Sequence, residues 1–136
     1  MLNIGKLLNY FHIGRQMSVA AVGDLSSFFY VRVYLIIVAA INFISWLSAY
    51  IVNKKISSDL VVLHYNIDFG ANLIGSVKEI YIIPFLGTLI ILINVVLLLF
   101  IHRQSRFLAH ALLAGALFAN IFFLLALASV YMVNFI

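Results

Sequence analysis

Polar residues in this chain come in clusters, and the intervals between the clusters are long and apolar. The clearest interval is Ile80 to Ile101: 22 residues without a charge, 17 of them Leu, Ile, Val or Phe, closed by His102, Arg103 and Arg106. A bilayer's hydrocarbon core takes about 20 apolar residues in helical form. At roughly −0.3 to −0.6 kcal/mol per large apolar residue, this run carries Pro84, Gly87 and Asn94 with it into lipid. Two flanking intervals read the same way. The pattern predicts an all-α integral membrane fold with three transmembrane helices at about 28–52, 80–101 and 107–135. At 1.5 Å per residue the last is about 45 Å long, more than the hydrocarbon needs, so it must tilt or project.

Two segments outside the spans carry patterns of their own. In residues 1–24, Ile4, Leu7, Leu8 and Phe11 fall at i, i+3, i+4 and i+7, which predicts a short amphipathic helix lying on the membrane surface or packed on a partner subunit. The remainder, 25–136, forms the three-helix unit. Its one sizeable polar connection is 53–79. There Val61, Leu63, Tyr65, Ile67 and Phe69 alternate with Val62, His64, Asn66 and Asp68, a period of two that fits one extended segment and no helix. A lone strand is unstable, so its apolar face must rest on the bilayer or the helix ends, or its edge must pair with another chain. Gly70, Asn72 and Gly75 are then expected to supply turns before the next helix.

Composition agrees with this reading and narrows it. With 66% hydrophobic and 9% charged residues, the chain lacks the polar surface to cover a water-soluble globule of 136 residues. The net charge of +4 does not point to nucleic acid, because Lys and Arg stand singly or in pairs at the ends of apolar runs, where they set orientation. Lys6, Arg15, Arg32, Arg103 and Arg106 flank one side, against Lys54, Lys55 and Lys78 in the 53–79 connection, which also holds Asp59, Asp68 and Glu79. The expected topology has the N-terminus in the cytoplasm and both the 53–79 loop and the C-terminus outside the cell membrane. Without cysteine there is no disulfide, thiolate metal site or cysteine nucleophile. The first 16 residues lack the continuous apolar core of a cleavable signal, so the first span is expected to remain as an anchor.

Candidate chemistry is sparse. His64, Asn66 and Asp68 would share one strand face, but each two-residue step is about 6.6 Å, too wide for one ion without a bend. His64 and Asp68 are therefore weak metal candidates, and a solvated polar face is the ordinary reading. Together with Tyr65 and Gly70 these residues are the candidate interaction surface of the loop. No metalloprotease, nucleophile-elbow or phosphate-loop motif occurs. Each span carries one Asn near mid-depth (Asn42, Asn94 and Asn120), which suits either interhelical hydrogen bonds that fix packing or a polar path. No Asp or Glu lies within the spans, so the usual carboxylate relay of a transporter is missing. Ala111, Gly115 and Ala119 recur every four residues, a spacing that lets helices approach closely, and the second span is their expected neighbour across the short turn. Arg32 is expected to snorkel, with a gating or binding role as the alternative, and Trp46 and Tyr50 suit an interfacial aromatic belt.

A helix followed by LHYNIDFGANLIG (Leu63 to Gly75), a second helix opening IYIIPFLG (Ile80 to Gly87) and an Arg-bearing turn into a third together resemble a group of small uncharacterised bacterial three-span membrane proteins from uncultured, reduced-genome lineages. This resemblance covers about Val52 to the C-terminus. His64, Asn66, Gly70 and Pro84 are also similar to the domain of unknown function in the immunity family that protects against a sporulation-delay toxin. The prolines which that family places before the His are Val61, Val62 and Leu63 here. The resemblance implies a bacterial cytoplasmic membrane and no particular activity.

The functional expectation is a non-enzymatic membrane protein without cofactor, working by association with lipid, with other membrane subunits or with itself. An immunity- or sensor-like protein that captures a peptide through the 53–79 loop is the alternative from another class. A transporter or channel component is a further one, and would need a wet cavity near the three Asn residues.

Overall fold

The computed structural model describes residues 22–25, 27–56, 60–66, 70–101 and 105–135, with backbone alone at 64–66 and 70–72. The amphipathic segment expected near the N-terminus, Asp68 and Arg103 lie outside the described residues. Three long helices dominate: α1 (Phe29–Lys55), α2 (Ile82–Ile101) and α3 (Arg106–Phe135). Between α1 and α2 stand strands β1 (Leu60–Asn66) and β2 (Gly70–Ser76) and a 3-10 turn, Val77–Tyr81. With that turn added to α2, three helices are long and apolar enough to cross a membrane, so this is a multi-pass transmembrane chain.

The helices run up, down and up, with α3 packed broadly against both others and α1 meeting α2 more narrowly. Their inward faces follow from spacing. Buried positions on α1 are Val31, Val38, Asn42, Ser45, Ala49 and Val52, and on α3 they are Ala109, Leu113, Ala116, Asn120, Leu127 and Val130. Steps of three and four that close on seven form the seam by which helices pack at a shallow left-handed crossing. The outward faces carry exposed Ile36, Phe43, Phe85, Leu92, Phe118 and Phe122. A surface this apolar is stable against hydrocarbon and not against water.

Two apolar clusters close the ends of the bundle. Leu25, Val31, Leu98, Ala109 and Leu113 fill one. Ala49, Val52, Val61, Val77, Ile80, Leu127 and Val130 fill the other, where β1 enters the core through Val61 with Leu63 beside it.

The 53–79 connection differs from the expected lone strand. β1 pairs antiparallel with β2, Leu60 opposite Ser76 and Asn66 opposite Gly70, so its partner is this chain's own next segment and Gly70, Asn72 and Gly75 belong to a strand. Register shifts on either side of His64 interrupt the ladder. Gly75 lies beneath the Leu63 and Glu79 side chains: a Cβ there would come within 2.6 Å of Leu63 Cδ1 and would also meet the Glu79 carboxylate, so both side chains would have to swing aside. Glu79 in turn accepts from the Ser76 N–H, and Ser76 Oγ from the Lys78 N–H, a capping box that starts the turn into α2. Pro84 then falls in the first turn of α2, where a missing N–H is tolerated.

Beside the apolar packing of Val61, one side chain of α3 hydrogen-bonds β1. Asn134 Oδ1 accepts from the Val62 N–H at 3.0 Å, while its Nδ2 donates to the Val62 carbonyl at 2.8 Å and to the Val130 carbonyl at 2.8 Å. The carboxamide thus pairs with Val62 as a neighbouring strand would, and blocks that edge.

Candidate functional site

The polar centre of the bundle is built where α2 has least side chain. Asn42 projects from the inward stripe of α1 and Asn120 from that of α3, and Gly87 leaves room between them. Asn42 Nδ2 donates to Asn120 Oδ1 at 3.0 Å and to the Pro84 carbonyl at 3.1 Å. Asn120 Nδ2 donates to the Ala116 carbonyl at 2.9 Å and to the Gly87 carbonyl at 3.4 Å. The Thr88 hydroxyl lies 3.0 Å from both Asn42 Oδ1 and the Pro84 carbonyl, either of which can take its single proton, and it accepts from Trp46 Nε1 at 3.1 Å.

This node is closed. Asn120 is 0% exposed and Asn42 7%, and all four carboxamide hydrogens have an acceptor. A Cβ on Gly87 would sit 2.6 Å from Asn120 Oδ1 and from Asn42 Nδ2, so there is not space for one methyl group. In hydrocarbon an unsatisfied amide costs several kcal/mol, on the order of a lost hydrogen bond in vacuum, so the network fixes the register of the three helices. Chemically it holds no titratable side chain among the described residues. What its hydrogen bonds do is position the helices.

The sequence-level candidates distribute unevenly over this geometry. Asn42 and Asn120 meet; Asn94 does not. It stands seven residues along α2 from Gly87, about 10 Å down the helix, and its Nδ2 bonds the Ile90 carbonyl of its own helix at 2.9 Å. The place expected for it is taken by Thr88 and by the Pro84 and Gly87 carbonyls, because backbone acceptors become available where a helix carries Gly. Trp46 bonds Thr88 and stacks on Tyr81, the ring centroids 6.1 Å apart.

The small stripe of α3 also corrects its expected role. Ala111 and Gly115 are exposed and Ala119 is half-buried, and a Cβ on Gly115 would meet nothing within 4 Å. The stripe begins two residues beyond Ala109, about 200° around the helix, so packing through Ala109, Leu113 and Ala116 turns it away from α2. Arg106 opens α3 and is exposed, and Arg32 is exposed with its guanidinium 6.0 Å from the Phe29 ring. The backbone of His64, Tyr65 and Asn66 lies in β1 and that of Gly70 opens β2, with their side chains outside the description. Among the described residues no group of three His, Cys, Asp or Glu is placed to hold a metal ion.

Thr88, Gly87 and Asn134 were not singled out by sequence. Gly87-Thr88 inside an otherwise aliphatic run is the one visible signal for the first two, since a glycine within a membrane helix commonly marks a close approach. Comparison with protein-family models, curated proteins and solved structures finds no match to this chain.

Proposed function

We propose that this is a non-enzymatic membrane protein that works by association, as an accessory subunit of a larger membrane assembly or as a homo-oligomer. The observation that carries the reading is the closed Asn42–Thr88–Asn120 node: the polar groups at the centre of the bundle are spent on one another and on backbone, leaving none for a substrate or an ion. Recognition then falls to the outer faces. On α3 that face carries Ala111 and Gly115, where another helix can approach closely. The proposed setting is a bacterial cytoplasmic membrane with the N-terminus inside and the hairpin and C-terminus outside, following the Lys and Arg distribution.

Because the chain has no cysteine, Gly115→Cys introduces a single thiol. Mild oxidation in native membranes is expected to give a disulfide-linked dimer, or co-purification in mild detergent a partner at fixed stoichiometry. A monomer that carries no partner in both experiments defeats the proposal.

A second reading is favoured by the sheet. Asn134 occupies the outer edge of β1, while β2 has β1 as its only strand neighbour among the described residues, so an extended peptide could add to β2. Deleting residues 61–69 is then expected to abolish peptide capture with membrane insertion unchanged, whereas under the association reading the Gly115→Cys dimer persists.

A further inference from the structure

A groove of about 310 Å³ runs along the outward side of the α1–α3 contact near the hairpin end, lined by Ser48, Ile51, Leu124, Ala128, Tyr131 and Met132. Its walls are apolar apart from the Ser48 and Tyr131 hydroxyls, and exposed Ile51, Ala128 and Met132 place it on the outward surface of the bundle. Lys55 follows Ile51 by four residues and so continues the α1 wall to the polar end of the groove. Its Nζ lies 3.4 Å from the Tyr131 hydroxyl and 5.4 Å from that ring's centroid, and Lys54 Nζ stands 5.8 Å from the Tyr50 ring. The apolar channel therefore ends in the Tyr131 hydroxyl and the Lys55 ammonium, with Lys54 adjacent in the last turn of α1.

We propose that this groove binds an anionic phospholipid, one acyl chain along the α1–α3 wall and the phosphate on Lys55 and the Tyr131 hydroxyl, with Lys54 adding charge. Charge selects this occupant over a second copy of the chain. Two copies joined through the groove about an axis normal to the membrane would bring Lys54 and Lys55 of each against the same lysines of the other, a like-charge contact. The lysines attract an anionic headgroup, worth about fivefold in affinity for each at low salt.

Native mass spectrometry of the full chain, released from vesicles of equimolar phosphatidylglycerol and phosphatidylcholine with matched acyl chains, tests this. Phosphatidylglycerol is expected to be retained preferentially, and the Lys54→Gln/Lys55→Gln variant to lose about thirtyfold of that preference. Ala128→Trp, on an exposed position that leaves the core untouched, is expected to fill the groove and expel both lipids with helicity unchanged. Equal retention of the two lipids, a preference that survives the double substitution, displacement by inorganic phosphate alone, or a disulfide-linked dimer of Ala128→Cys would each overturn the proposal.

Discussion

Gly87→Ala is expected to destabilise the bundle by about 2–3 kcal/mol, the cost of forcing one methyl group into a packed interior. The added carbon would lie 2.6 Å from Asn120 Oδ1 and from Asn42 Nδ2, so relief requires either α2 to move outward or the carboxamides to separate. Both routes break interhelical hydrogen bonds, each worth about 0.6 kcal/mol in a membrane. The measurement is reversible unfolding in mixed micelles. The specificity of the argument lies in a double-mutant cycle: with Asn120→Ala already present, one of the two contacts is gone and Gly87→Ala should cost less than half as much. Additive costs would show that the glycine matters for some reason other than this contact. A Gly87→Ala chain as stable as the parent would show that the node does not hold the helices together.

Asn134→Leu is expected to release the hairpin from α3 at a cost of about 2 kcal/mol, set by two backbone groups of Val62 losing their partner at a half-buried site. The change keeps the number and branching of the side-chain heavy atoms while removing every donor and acceptor, so the effect reports chiefly the lost hydrogen bonds. Its signature is local. Amide exchange at Val62 and proteolysis within 60–76 should accelerate, while the helices unfold as before, because Val61 and Leu63 lie in an end cluster separate from the Asn42–Asn120 node. Asn134→Asp keeps an acceptor for the Val62 N–H and loses the donor to the Val62 and Val130 carbonyls, so it should fall between the two. Unchanged exchange at Val62 in the leucine variant would remove the carboxamide from its role as a strand substitute.

These two residues show why part of the structure could be read in advance and part could not. Helix number and position follow from hydrocarbon thickness and transfer energy, which are sums over residues in a row, so Ile80 to Ile101 declares itself. β1 is legible for a similar reason, since Leu63 and Tyr65 alternate with His64 and Asn66 after the β-branched pair Val61-Val62. β2 is not: Gly70-Ala71-Asn72-Leu73-Ile74-Gly75-Ser76 has neither alternation nor strand-forming residues at most positions, and it is a strand because β1 lies beside it. Glycine there reads as a turn signal until the Leu63 and Glu79 side chains occupy the space above it.

By itself the sequence determined three apolar helices, their order and the absence of Asp and Glu within them, because each depends only on the local cost of placing a segment in lipid. Which Asn meets which, which face of α3 looks inward and what the hairpin leans on were decided by tertiary packing. Asn94 and Asn120 are equivalent as amides in an apolar run. They differ because the three-and-four stripes of α1 and α3 bring Asn42 and Asn120 to the level of Gly87, while Asn94 lies about 10 Å below it and turns to its own helix.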